Sequence, residues 1–260
     1  MNQAQKRRFL IEYLLKEQPH DSVYRIPDDA AQQKKLLRAL LNVRMPAPVS
    51  ESFTAVQDAY LRQAIAEKGI TDFASFTPLQ PDLYLWRGDI TTLRCDAIVN
   101  AANSGMTGCY QPCHSCIDNC IHTYAGIELR NCCAELMRAQ GYAEPTGQAK
   151  ITPAFNLPSR YVIHTVGPVV DGRLTQRHCD LLASCYTSCL TCAEENDCKS
   201  IAFCCISTGV FGFPQQRAAQ IAVDAVRAYK EKNHSEIKVI FNVFKDEDDK
   251  LYRQLLSVGA

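Results

Sequence analysis

Residues 82–103 read DLYLWRGDITTLRCDAIVNAAN, and the fold is decided by this stretch. Leu83 to Arg87 is a short strand. Asp96 to Asn100 is a second, and its apolar triplet Ala97, Ile98 and Val99 suits a strand covered on both faces, as in a buried parallel sheet. Gly88, Asp89 and Ile90 follow the first strand; Asn100, Ala101, Ala102 and Asn103 close the second. Both groups therefore sit at C-terminal strand ends, where open α/β sheets bind ligands. An acidic side chain there can accept from an amino group, and an asparagine can bond a sugar hydroxyl. Each group reads equally well as turn chemistry.

Towards the C-terminus the alternation continues. Asp118 to Gln140 has helical periodicity with Gly141 at its end, and Ala149 to Thr152 and Tyr161 to Val166 are strands joined through Asn156, Leu157 and Pro158. Arg177 to Glu195 is a helix and Ser200 to Ile206 a strand. Pro214 to Lys232 is a helix opened by proline in its first turn. Ile237 to Phe244 is a strand, and Asp246 to Leu256 is a closing helix. The pattern predicts an α/β fold for residues 81–260: a three-layer α/β/α sandwich with a mixed, mostly parallel central sheet.

Residues 1–80 read instead as an N-terminal helical extension. Phe9, Leu10, Tyr13 and Leu14 make one apolar stripe; Leu36, Leu37, Leu40 and Leu41 make a second; Phe53, Val56, Tyr60 and Ala64 make a third that Gly69 can close. Proline-containing breaks at Tyr24 to Asp29 and Met45 to Ser50 separate them, and Thr77, Pro78 and Pro81 mark the boundary.

Lysine plus arginine equals aspartate plus glutamate at 28 each, so no overall cationic field collects nucleic acid or anionic membrane. The N-terminus lacks a secretory pattern, and no segment approaches the roughly 18 consecutive apolar residues of a membrane span. A cytoplasmic protein is expected, in which the 14 cysteines serve as core residues, metal ligands or reactive thiols rather than as a disulfide framework. Cys185, Cys189 and Cys192, on one helix face, and Cys204 and Cys205, in an apolar strand, read as small buried hydrophobes.

Four cysteines, two histidines and an aspartate crowd into Gly108 to His122, GCYQPCHSCIDNCIH. Cys109, His114 and Cys116 form C-x4-H-x-C; Cys113, Cys116 and Cys120 form a competing C-x2-C-x3-C, and spacing alone does not choose. Either suits zinc. A closed four-ligand site would only pin the loop, whereas three protein ligands and an open position would be catalytic. Asp118, at or just before a helix start, is a natural N-cap and equally a carboxylate able to orient or deprotonate a water. Ser207 to Phe213, STGVFGF, can converge backbone N–H groups on an anion. It lacks the Gly-Lys-Ser/Thr ending of a triphosphate loop, which favours a diphosphate, with a plain glycine turn as the alternative.

Taken together, GDIT at Gly88 to Thr91, DAIVNAAN at Asp96 to Asn103, HTVGP at His164 to Pro168 and STGVFGFP at Ser207 to Pro214 resemble the macrodomain family in order and spacing. The Cys/His stretch resembles the zinc-containing branch of bacterial protein-ADP-ribose hydrolases. That resemblance implies Zn2+ on Cys109, His114 and Cys116. It also implies ADP-ribose bound by Asp89 and Ile90 at the adenine, with Phe244 against the ring. Ser207, Thr208, Gly209, Val210, Phe211 and Gly212 would hold the diphosphate and distal ribose, and Asn103 would bond that ribose. Ile117, Asp118 and Asn119 would form the facing loop, with Asp118 and Asn103 as the catalytic pair. The implied activity is removal of mono-ADP-ribose from acidic side chains of a protein, within a system of a sirtuin-like transferase and a lipoyl-carrier protein. The alternative is a non-catalytic reader module with a structural zinc.

Overall fold

Three N-terminal helices form where the apolar stripes predict them: α1 (Gln3–Lys16), α2 (Ala30–Val43) and α3 (Glu51–Lys68). Each is started by a side chain that accepts from an otherwise unpaired N–H: Asn2 from Gln5, Asp29 from Gln32, Ser50 from Phe53. Leu10, Ile11, Leu14, Leu37, Leu40, Leu41, Phe53, Tyr60 and Leu61 pack together between them. The computed structural model describes residues 1–18 and 25–257, so Tyr24, expected to open the first break, lies outside the described residues.

After α3 come β1 (Thr71–Asp72), β2 (Leu83–Arg87), β3 (Leu93–Arg94), β4 (Ala97–Ala102), α4 (Ile117–Ala125), α5 (Ile127–Gln140), β5 (Ala149–Pro153) and β6 (Tyr161–Val166). The chain continues with α6 (Gln176–Glu195), β7 (Ser200–Phe203), α7 (Gln215–Asn233), β8 (Lys238–Val243) and α8 (Asp246–Ser257). Six strands form one sheet in the order β2-β8-β7-β4-β6-β5, and every neighbour is parallel except β5 with β6. This is the expected mixed, mostly parallel sheet between helices. Ala97, Ile98 and Val99 are wholly buried, as strands covered on both faces require. A small parallel pair, β1 with β3, was not foreseen; it ties residues just after α3 to the sandwich.

Several boundaries differ from expectation, three of them with a visible cause. The helix predicted over Asp118 to Gln140 is two helices, because Gly126 stands at φ 100° and ψ 172°, a region essentially closed to other residues. The side chain of Gln57 on α3 serves the new helix start: its Oε1 accepts from Ile127 N at 3.0 Å and its Nε2 donates to Glu128 at 2.7 Å. Pro214 is the residue before α7 rather than in its first turn, with ψ 122°, and its carbonyl accepts the first helical bond from Ala218. Strand β7 ends at Phe203, short of Ile206, because the chain there leaves the ladder for a loop; the apolar Cys204 and Ile206 reflect burial alone. Cys185, Cys189 and Cys204 are buried, Cys192 and Cys205 half-buried, and all 14 cysteines are free.

One buried arginine docks the helical extension. Arg130 of α5 donates through Nη1 to the carbonyls of Leu41, Asn42 and Arg44 at 3.1, 2.7 and 2.6 Å. These are end-of-helix carbonyls without intrahelical partners, and the cation lies at the negative end of the α2 dipole.

Replacing Gly126 by alanine is expected to cost roughly 1–3 kcal/mol in backbone strain alone. An added Cβ would also stand 2.7 Å from Gln57 Nε2. Urea unfolding measures the loss, and an unchanged midpoint would contradict it.

Candidate active site

Because β2, β8, β7 and β4 are parallel neighbours, their C-terminal ends share one edge of the sheet. Asp89 follows β2, Phe244 follows β8, the loop Ser207 to Phe213 follows β7, and Asn103 with the Cys/His loop follows β4. Gly88 N donates to Val243 O at 3.1 Å, which brings the ends of β2 and β8 together. The expected residues therefore line one continuous edge, though they are scattered over more than half the chain.

The Cys/His loop resolves the two competing triads. Cys109 Sγ lies 3.7 Å from His114 Nδ1, and the donor atoms of Cys109, His114 and Cys116 are all within 4.8 Å of one another. Cys113 and Cys120 are turned away: Cys113 Sγ donates to Lys35 O at 3.4 Å, and Cys120 Sγ meets Arg38 Nη2 at 3.5 Å. Two sulfurs and one imidazole nitrogen are a donor set that zinc accepts. Burial pushes the Cys116 thiol up to about 12 despite the Asn119 N–H bond, and Cys109 and Asp118 push it further. A cation is what would make these thiols ionise, so the residues fit a metal ion.

A second group, His122, Cys133 and His164, is also within 4.8 Å and fully buried. Here both ring nitrogens of His164 are occupied, by Asn100 at 3.2 Å and Thr152 at 3.0 Å. Burial lowers His164 to about 3 and His122 well below its ordinary value, which disfavours the charged form of both rings.

Asp118 does not cap the helix as its sequence position allowed. Cys116 takes that place, its Sγ accepting from Asn119 N at 3.4 Å. The Asp118 carboxylate turns to the sheet instead: Oδ1 accepts from Asn100 Nδ2 at 2.8 Å, and Oδ2 from Asn103 Nδ2 at 3.2 Å. Asn103 also donates to Gly108 O at 3.0 Å, joining acid and loop. Burial raises the Asp118 carboxyl to about 6 against the Asn100 bond, the Arg130 charge and the Asn103 bond, all of which lower it. Gly108, at φ 85°, passes so close to His122 that a Cβ would stand 2.7 Å from the ring.

Across the edge, the N–H groups of Gly209, Val210 and Phe211 donate to no protein acceptor among the described residues, and neither do those of Ile117 and Asp118 at the start of α4. Five unpaired donors on two segments at this end of the sheet suit an anion. Ser207 is held at φ 64°, with Phe213 N donating to its carbonyl, while Thr208 Oγ1 donates to Cys205 O and Gly212 turns at φ 68°. Val210 and Phe244 are 76% and 78% exposed, apolar surfaces open to a ligand. Ile90 is buried beneath Asp89. Asn119 faces the loop rather than the edge: its Nδ2 donates to Cys109 O and Gln111 O, and its Oδ1 accepts from Arg38.

Two residues at this edge escaped the sequence reading, because both come from the extension. Lys68 of α3 reaches Asp89 Oδ2 at 2.7 Å and lies over the Tyr124 ring at 3.4 Å; Arg38 of α2 reaches the Cys/His loop. No local spacing announces either. Asn100 and His164 stood within quoted motifs but without their roles here: Asn100 bonds Asp118, and His164 contacts Asn100.

These features define a macrodomain. The chain belongs to that family: the Macro domain model matches residues 99–222. It is 60% identical over 261 aligned positions to a protein-ADP-ribose hydrolase of Treponema medium, covering 99% of this chain and 100% of that protein. A protein-ADP-ribose hydrolase of Staphylococcus aureus strain MRSA252 is 48% identical over 257 positions, covering 97% and 95%. Among solved structures, the Trypanosoma brucei macrodomain in complex with ADP-ribose superposes with a TM-score of 0.65 at 30% identity, covering 84% of this chain and 94% of that one. No helix among the described residues is long and apolar enough to cross a membrane.

Burial alone would raise the Asp89 carboxyl, but the Lys68 bond and the Thr91 hydroxyl and N–H outweigh it and leave it lowered. A carboxyl depressed in the folded state adds stability above its unfolded-state pKa and loses it as pH falls through the folded value. Lys68→Met therefore costs about 0.2–1 kcal/mol of pH-dependent stability at neutral pH, the range for a partly exposed pair. That part of the difference from wild type shrinks as pH falls below about 4. Urea unfolding over a pH series reads it; a difference that stays constant with pH refutes the assignment.

Proposed function

We propose that this protein is a zinc-dependent hydrolase that removes mono-ADP-ribose from acidic (Asp/Glu) side chains of a modified protein. The observation that carries this reading is the placement of Asp118: a buried carboxylate, fixed by two asparagine amides, on the same loop and helix start as the Cys109, His114 and Cys116 donor set. The names of the hydrolase relatives and the ADP-ribose complex of the Trypanosoma macrodomain support the substrate class.

In this reading the free N–H groups of Gly209, Val210 and Phe211, with those of Ile117 and Asp118, hold the diphosphate. Asp89 accepts from the adenine amino group beside Ile90, and Phe244 covers the ring. Ser207, Thr208 and Gly212 shape the loop that delivers those donors, and Asn119 keeps the opposite loop in form. Asp118 orients a water and takes its proton as the water oxygen bonds to the anomeric carbon of the distal ribose and the bond to the modified carboxylate breaks. Asn103 fixes the direction of the Asp118 carboxylate and stands next to the sugar. Cys109, His114 and Cys116 would hold zinc, which, with two thiolates and an imidazole and so a formal site charge near zero, supplies a mild Lewis acid. A lipoyl-carrier protein modified by a sirtuin-like transferase is the substrate to assay first.

Asp118→Asn is expected to slow release of ADP-ribose from an aspartyl- or glutamyl-modified protein by about 100- to 10,000-fold while calorimetry still detects ADP-ribose binding. Cys116→Ser keeps an oxygen able to cap α4 but removes a thiolate, and should lose metal and turnover together. Wild-type rates in either folded variant would overturn the catalytic reading. A wild-type protein that binds ADP-ribose but releases it from no modified protein would make this a reader module with a structural zinc.

A further inference from the structure

The loop that carries the metal donors is irregular from Asn103 to Cys116 and passes through left-handed backbone at Met106, Gly108 and Cys113, with φ of 61°, 85° and 56°. Its own backbone bonds, Met106 N to Asn103 O and His114 N to Gln111 O, do not tie the three donors to one another. The structure shows what does. Arg38 and Asn42 lie at i and i+4 on one face of α2, and their side chains, with the backbone carbonyl of Lys35, bond to this loop or to the first turns of α4.

Arg38 makes the central contact. Its Nη2 donates to His114 O at 2.7 Å and to Asn119 Oδ1 at 2.8 Å, and Nε reaches the same Oδ1 at 3.3 Å. Asn119 passes the constraint on, donating from Nδ2 to Cys109 O at 3.3 Å and to Gln111 O at 3.0 Å. One guanidinium thus fixes the backbone of one metal donor directly and that of a second through a single buried amide. Asn42 secures the turn between them: its Oδ1 accepts from Cys113 N at 2.9 Å, and its Nδ2 donates to Thr123 Oγ1 at 2.9 Å. A lysine would not do the same work, since a point charge lacks the planar fork that spans a carbonyl and an amide oxygen together.

We infer that Arg38, assisted by Asn42, is a positioning residue for the metal donors, so that the N-terminal helices complete the metal site from outside the sandwich. The inference rests on the reading of Cys109, His114 and Cys116 as zinc ligands. Residues that bond to the ligands rather than to the metal hold the donors in place before the ion arrives, and their loss typically lowers metal affinity about 10- to 100-fold.

The test uses the full chain and zinc alone, in competition with a chromophoric chelator. Arg38→Ala is expected to weaken zinc binding about 10- to 100-fold, with Arg38→Lys in between. In the cobalt-substituted protein, the visible ligand-field bands should shift in Arg38→Ala, which a change of general stability would not produce. Arg44→Ala is the control: Arg44 bonds Glu17 and the carbonyls of Met45, Ala47 and Pro48, so its loss loosens the extension without touching the loop. Tight zinc binding in Arg38→Ala, or equal loss in Arg38→Ala and Arg44→Ala, overturns the inference. Failure of the wild type to bind zinc instead overturns the metal reading on which it rests.

Discussion

A carboxylate removed from water has to be met by donors, and the architecture around Asp118 follows from that requirement. An uncompensated buried charge costs several kcal/mol, and here Asn100 and Asn103 from the end of β4 supply the compensation, with the Arg130 charge nearby. For Asn100 in β4 and Asn103 just after it to reach both oxygens, α4 must begin close to the strand end. The connecting loop must then fold back on itself, which is why Gly108 lies against His122 and why Cys116, not Asp118, starts the helix. The acid's position and the loop's shape are one solution to a single desolvation problem.

The helical extension solves a related problem for the sandwich. Gln57 satisfies the start of α5, Arg130 satisfies the end of α2, Lys68 meets Asp89, and Arg38 and Asn42 bond to the Cys/His loop. These bonds run both ways between the two parts. Removing the three helices would strand buried polar groups on α4 and α5, and removing the sandwich would strand the last carbonyls of α2. Burial of Ile127 among the helical leucines adds an apolar contact to the polar ones.

Much of this was legible from residue order alone. The apolar triplet Ala97 to Val99 announced a two-sided strand, and the positions of Asp89, Asn103 and Ser207 to Gly212 after strands put them at one edge once the strands were parallel. Local patterns carry such information because strand burial and turn chemistry act over a few residues. The break at Gly126 was hidden because the periodicity on either side is helical and only a backbone angle separates the two. Which Cys/His triad comes together was hidden because it depends on Lys35 and Arg38, which bond Cys113 and Cys120 from a distance of some 80 residues along the chain. Lys68 at Asp89 was invisible for the same reason.

The order of strands also has a bearing on how the molecule is made. The first long strand, β2, finds its sheet partner in the last, β8, with Leu83 beside Val239 and Arg87 beside Val243. A ribosome therefore releases β2 long before its neighbour exists, and the strand's open edge waits while the rest of the sheet assembles. Pairing over such a separation forms late and slowly, because loop closure must precede any gain from the contact. Asp89 and Phe244 extend from these two strands, so that end of the edge is completed last in synthesis, after the acid, the cysteine loop and the helices that brace them have already emerged.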